Sequence, residues 1–217
     1  MKFHFPIWCI VLLLAGIDTC AQDTARADQY KKNAKIVFLL DVSNSMGREN
    51  KMQLLKKSTE ELLKLLDKQD QISLLSFGSQ VNTLYSTTAY SGPDSLLKII
   101  SKVRSTASST NINGAIYDAY YILLQKTKKE IRSKNFNPAA TAKHVLLVTD
   151  GLFELNPYTK QLVCDNPDIE LTCVIVGRGL EADKAVTYVR EELQLRVITL
   201  VDEERDVKKL AELFGSR

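Results

Sequence analysis

Two stretches of this chain share one pattern, an unbroken apolar run that ends in an acid: Lys35–Asp41 (KIVFLLD) and residues 144–150 (HVLLVTD). A run without polar alternation predicts a strand buried on both faces, as in a parallel sheet. Gln71–Phe77 reads as another strand, closed by Gly78, and residues 81–85 as a short strand joined to it by a hairpin. Ile169–Val176 and residues 195–201 complete a set of six. Between them the period changes to that of a helix. Leucines at 54, 55, 62, 63, 65 and 66 mark a helix over residues 49–67. Leu96, Leu97, Ile100 and Val103 mark one over 93–104, with Pro93 suited to its first turn. Apolar positions at 112, 116, 120, 123 and 124 mark one over 112–132, and further helices are expected over 181–193 and 203–214. Residues 105–111 and 133–143 read as loops. Strands alternating with helices imply an α/β fold, a doubly wound and mainly parallel six-stranded sheet with helices on both faces.

The amino-terminal segment belongs to a different pattern. A basic start, an apolar stretch from Ile7 to Ile17 and the small residues Thr19-Cys20-Ala21 have the layout of a secretory signal. The apolar run is short of the ~20 residues a membrane-spanning helix needs. We therefore expect a signal over residues 1–21, a polar linker over 22–33 and one domain over 34–217. Lipidation of Cys20 is an alternative, although Asp18 fits a lipoprotein signal poorly. The expected location is outside the cytoplasm: periplasmic, secreted, or lipid-anchored at the envelope. Beyond that segment only Cys164 and Cys173 remain, and a disulfide and a small buried thiol are both open for them.

The remaining composition narrows the chemistry. Net charge is only +3 and aromatics are 7% of the chain, which gives no case for nucleic-acid binding. After the amino-terminal segment the only histidine is His144, at the start of a buried strand, so a His-rich zinc site and a Ser-His-Asp triad are both disfavoured. No Gly-x-Gly-x-x-Gly and no phosphate-loop Gly-Lys-Ser/Thr occurs. What does stand out is Asp41-Val42-Ser43-Asn44-Ser45, with one carboxylate and two hydroxyls at alternate positions just past a strand. In a tight loop this spacing turns three oxygens toward one point, and oxygen is what hard cations demand. Asp150, at the end of another strand, offers a second carboxylate, and Thr110, in a loop before a helix, a third hydroxyl. In such sheets ligands bind at the carboxyl ends of the strands.

These residues resemble the von Willebrand factor A family, whose metal-ion-dependent adhesion site is Asp-x-Ser-x-Ser, then a distant Thr, then a distant Asp. Here the matches are Asp41, Ser43 and Ser45, Thr110 in Ser108-Ser109-Thr110-Asn111, and Asp150 in Thr149-Asp150-Gly151, over roughly residues 34–214. Serines stand where the family often has glycines before the Thr. The resemblance implies Mg²⁺, with Mn²⁺ or Ca²⁺ able to substitute. Ser43, Ser45 and Thr110 would be direct ligands, and Asp41 and Asp150 direct or water-mediated ones. It further implies binding of a partner protein whose Asp or Glu carboxylate completes the coordination, with no small-molecule substrate and no catalysis. A scaffolding subunit of an envelope complex, its metal only bracing the loops, is the alternative. A hydrolase of the haloacid-dehalogenase-like kind would need Asp-x-Asp-x-Thr, and Ser43 replaces its second acid.

Other features have plainer readings. Tyr117 and Tyr121 share a helix face at i,i+4, so core packing is expected for them. Phe153, just past Asp150-Gly151, suits either a buried position or an exposed contact at the rim. The basic run Lys126-Thr127-Lys128-Lys129 with Arg132 reads as a solvated helix end, and Gly177-Arg178-Gly179 as a turn.

Overall fold

A computed structural model describes residues 34–68, 70–87, 92–125 and 141–201. The expected signal and linker, the basic run from Lys126, most of the 133–143 loop and the helix expected at 203–214 lie outside the described residues.

Six strands form one sheet: β1 Lys35–Asp41, β2 Gln71–Phe77, β3 Val81–Thr87, β4 Lys143–Thr149, β5 Ile169–Val176 and β6 Arg196–Leu200. Their order is β3-β2-β1-β4-β5-β6, and only β3 runs antiparallel. The unbroken apolar runs have the expected cause. Ile36, Phe38 and Leu40 of β1 pack on one face with helices α1 (Lys51–Lys64) and α2 (Pro93–Lys102). Val37 and Leu39 pack on the other with α3 (Ile112–Leu124), α4 (Pro157–Asp165) and α5 (Leu180–Thr187). Both faces are thus removed from water, at about 25 cal/mol per Å² of apolar surface. The edge strand β3 mixes exposed and half-buried positions, with its alternation broken where the register with β2 shifts between Leu74 and Leu75.

The structure departs from the sequence expectations in several places. Helix α1 starts at Lys51 because Glu49 and Asn50 hold left-handed backbone, at φ 53° and 59°. Helix α3 ends at Leu124, where Gln125 turns to extended backbone. The expected helix over 181–193 is α5 followed by one wide turn, Tyr188–Glu192, in which the Leu193 amide reaches back five residues to the Tyr188 carbonyl. Helix α4 was not anticipated. Its signals were an Asn156 cap, whose Oδ1 accepts from the Thr159 amide at 2.8 Å, and Pro157 in the first turn. With only Thr159 and Val163 buried along nine residues, its apolar period is too faint to read.

Tyr117 and Tyr121 correct another expectation, since both are exposed, at 60% and 59%. The inward face of α3 is set by Ile112, Ala115, Ile116, Ala119, Tyr120 and Leu123, and this stripe turns 117 and 121 outward. Phe153 is buried, edge-on to Tyr188 with ring centroids 5.8 Å apart. Cys164 is exposed and Cys173 buried in β5, and no disulfide joins them. His144, the second residue of β4, is partly buried, with Nδ1 3.1 Å from the Glu170 carboxylate.

Candidate metal centre

The direction of chain growth reverses between β1 and β4: α1 carries the chain from β1 toward β2, whereas α4 and α5 carry it from β4 toward β5 and β6. At this reversal the loops leaving the two strands diverge and open a crevice at their carboxyl ends. Asp41 ends β1 and Asp150 follows β4, so the two carboxylates flank the crevice.

Each side chain there has an identifiable positioner. The loop after Asp41 folds back at once: the Ser43 amide donates to Asp41 Oδ1 at 2.8 Å. A short 3₁₀ turn over Asn44–Gly47, anchored by buried Met46, then presents the serines. Ser43 Oγ lies 2.9 Å from Ser45 Oγ, and Ser45 Oγ donates to Asp150 Oδ1 at 2.8 Å. Asp41 Oδ2 accepts from Thr149 Oγ1 at 2.6 Å. Four of the five residues expected from sequence therefore form one hydrogen-bonded cluster. Asp41, Ser43 and Asp150 are buried and Ser45 is exposed, which makes the cluster a shallow site open on one side.

Thr110 is held nearby by a different route. The Ala107 segment pairs with the serine loop: the Thr106 and Ala107 amides donate to the Val42 carbonyl, and the Asn44 amide donates to the Ala107 carbonyl at 2.8 Å. Farther along, the Asn111 amide donates to the Gly78 carbonyl at 2.6 Å, and Asn111 caps α3 through the Gly114 amide. Thr110 is thus tethered on both sides. Its exposed hydroxyl does not join the hydrogen-bonded cluster of the other four among the described residues.

Burial pushes the Asp41 carboxyl above its usual range, opposed by the hydrogen bonds from Thr149 and Ser43, while the Asp150 charge adds to the rise. A positive charge in the crevice would relieve this. The donor set is all oxygen, two carboxylates with hydroxyls around them, which fits a hard divalent cation. Among the described residues no three His, Cys, Asp or Glu side chains gather as a metal cluster, so the case for this site rests on two carboxylates with hydroxyls.

Two contributors escaped sequence reasoning. Thr149 was read only as a neighbour of Asp150, yet it is the donor that fixes Asp41. Lys51 donates from Nζ to Asp150 Oδ2 at 2.8 Å. Its signal was present: a lysine in the first turn of a helix opposes the helix dipole and calls for a local anion. Beyond Asp150, exposed Leu152 and Leu180 rim a groove lined also by Phe153 and Tyr188.

Comparisons with known proteins agree with this architecture. A family model described as von Willebrand factor type A domain matches residues 35–211. Mouse inter-alpha-trypsin inhibitor heavy chain 4 is 28% identical over 128 residues, 56% of this chain and 13% of that protein, so the chain spans only a small part of this curated relative. Among solved structures, proximal thread matrix protein 1 from the mussel byssus, with a zinc-occupied MIDAS motif, has TM-score 0.62 and 19% identity, covering 86% of this chain and 46% of that one. An aerotolerance-related membrane protein from Bacteroides fragilis has TM-score 0.64 and 13% identity, covering 85% of this chain and 100% of that one. At these identities the structures speak for the fold alone.

Proposed function

This chain belongs to the von Willebrand factor type A domain family, and on that premise we propose that it is a divalent-cation-dependent protein-binding module of an exported protein, with no catalytic role. The observation that carries the reading is the linked set Ser43, Ser45 and Asp150 beside buried Asp41, at the mouth of the sheet. Ser43, Ser45 and Thr110 serve as direct ligands, and Asp41 and Asp150 ligate directly or through water. Mg²⁺ is the proposed ion, and Mn²⁺ or Ca²⁺ suits the same oxygens. A bound ion supplies an electrophilic centre that keeps an exchangeable position for an Asp or Glu carboxylate of the partner. The byssus protein, similar in fold, holds zinc in its MIDAS motif, which is in line with the metal role proposed for this site from its own residues. The exposed apolar rim at Leu152 and Leu180 supports a macromolecular partner. Export rests on the amino-terminal segment, with release after Ala21 or lipidation at Cys20.

The test is calorimetric titration of Mn²⁺ into the chelator-treated full chain, with Asp41→Ala alongside. Saturable binding that Asp41→Ala abolishes is expected. Equal binding by both proteins would refute the assignment. A partner captured equally well in excess chelator would favour the scaffolding role instead.

A further inference from the structure

Lys51 stands in a place that helix physics disfavours. The first turn of a helix carries partial positive charge, so a lysine there needs an anion close by. The chain reaches this arrangement through two consecutive non-glycine residues in left-handed backbone, Glu49 at φ 53° and Asn50 at φ 59°, each carrying strain of about 1 kcal/mol or more. Asn50, at the N-cap, makes no side-chain capping bond. What this costly entry achieves is the delivery of Lys51 to Asp150. Nζ lies 2.8 Å from Oδ2, with the two side chains only 15% and 2% exposed. A separate element holds the lysine stem: Gly177 in the turn after β5, at φ 107°, where a Cβ would fall 2.9 Å from Lys51 Cε. Because Asp150 Oδ1 accepts from Ser45, both oxygens of this carboxylate carry a donor, and one donor is an ammonium.

We propose that Lys51 is the resident counter-cation of the site: it neutralises Asp150 and competes with a divalent ion for that carboxylate, setting both the affinity and the selectivity of the site. The proposal rests on the reading that Asp150 is a metal ligand. Two positive charges bidding for one buried carboxylate repel each other. A lone ion is therefore held weakly, and a partner carboxylate, which restores the missing negative charge, is needed for tight retention. Selectivity follows from the occupied Oδ2. Ca²⁺ draws on bidentate carboxylates and six to eight oxygens, whereas Mg²⁺ is satisfied by one carboxylate oxygen and water. Lys51 thus discriminates against the larger ion.

The test uses the full chain, stripped with chelator, in five forms: wild type, Lys51→Met, Lys51→Arg, Asp41→Ala and the Lys51→Met/Asp41→Ala double variant. Mn²⁺ binding is read from the free-ion electron paramagnetic resonance signal and Ca²⁺ binding by calorimetry, with folding checked by circular dichroism. Lys51→Met keeps an apolar stem against Gly177, and Lys51→Gln replaces it should it not fold. Lys51→Met should bind Mn²⁺ about tenfold more tightly or better, with a larger gain for Ca²⁺, as expected when a like charge leaves a partly buried site. Lys51→Arg should stay near wild type, and Asp41→Ala should abolish binding in either background. Equal affinities in wild type and Lys51→Met, both lost with Asp41→Ala, would overturn the role of Lys51 and leave the metal site standing. The absence of any Asp41-dependent binding in all forms would overturn the metal reading and the role of Lys51 with it.

Discussion

Gly78 decides how closely the loop carrying Thr110 approaches the serine loop, and a single added methyl group tests this. A Cβ at Gly78 would fall 2.1 Å from Ala107 Cβ, 3.4 Å from the Ser109 carbonyl oxygen and 3.5 Å from Val42 Cγ2. Carbon atoms in contact prefer about 3.5–4.0 Å, so the first distance is short by more than about 1 Å while the other two are ordinary contacts. The loop has little freedom to yield. The Thr106 and Ala107 amides are bonded to Val42, the Ala107 carbonyl to the Asn44 amide, and the Asn111 amide to Gly78 itself. Gly78→Ala should therefore destabilise the domain by about 1–3 kcal/mol, as overpacking does. For a domain of this size each kcal/mol lowers the melting temperature by about 2–4 °C. Ala107→Gly alone should cost about 0.4–1 kcal/mol through added freedom of the unfolded chain. Together the two should be less damaging than their sum, with a coupling of about 1 kcal/mol or more. Urea unfolding of the four proteins, followed by circular dichroism, measures the cycle. A Gly78→Ala protein within about 0.5 kcal/mol of wild type, or the absence of coupling to Ala107, would show that the loop slides freely and is not a rigid wall of the site.

Two further outcomes follow from the buried and paired groups. Burial pushes the Cys173 thiol up to about 12, so at pH 8 almost none of it is thiolate; iodoacetamide should modify exposed Cys164 in the native chain and Cys173 only after unfolding, as peptide mass spectrometry would show, and native labelling of both at one rate would contradict the burial. Glu170 is held below the usual carboxylate range by the hydrogen bond from His144, with Arg196 adding to it and burial opposing. Because its folded value is depressed, its stabilising contribution is full above the ordinary value near 4.5 and is lost as pH falls through the folded value; Glu170→Gln should lower the melting temperature at pH 7 by an amount worth under about 1 kcal/mol, given its exposure, and the difference should shrink steadily as the pH is lowered below that ordinary value.

The parts of this protein legible in the sequence are those where a local pattern has one physical cause. Unbroken apolar runs such as Lys35–Asp41 occur because helices cover both faces of the sheet, so strand positions and the α/β class could be read directly. The carboxylates at two strand ends, with hydroxyls at alternate positions after the first, were likewise visible as residue types. What the sequence left undetermined depended on contacts between distant residues. Tyr117 and Tyr121 obey the same i,i+4 spacing as a buried pair, and only the packing of Ile112, Ile116, Tyr120 and Leu123 turned them outward. Helix α4 buries too little surface to leave a period, and its cap becomes meaningful only where Asn113 Oδ1 accepts from the Asn156 amide. Above all, Asp150 is separated from Ser45 by 105 residues and from Lys51 by 99. Ordering β4 beside β1, which no local signal encodes, brings these three together. The residue types were set by the chain, whereas their meeting in one crevice, and the ammonium placed within it, came from the crossover that reverses the sheet.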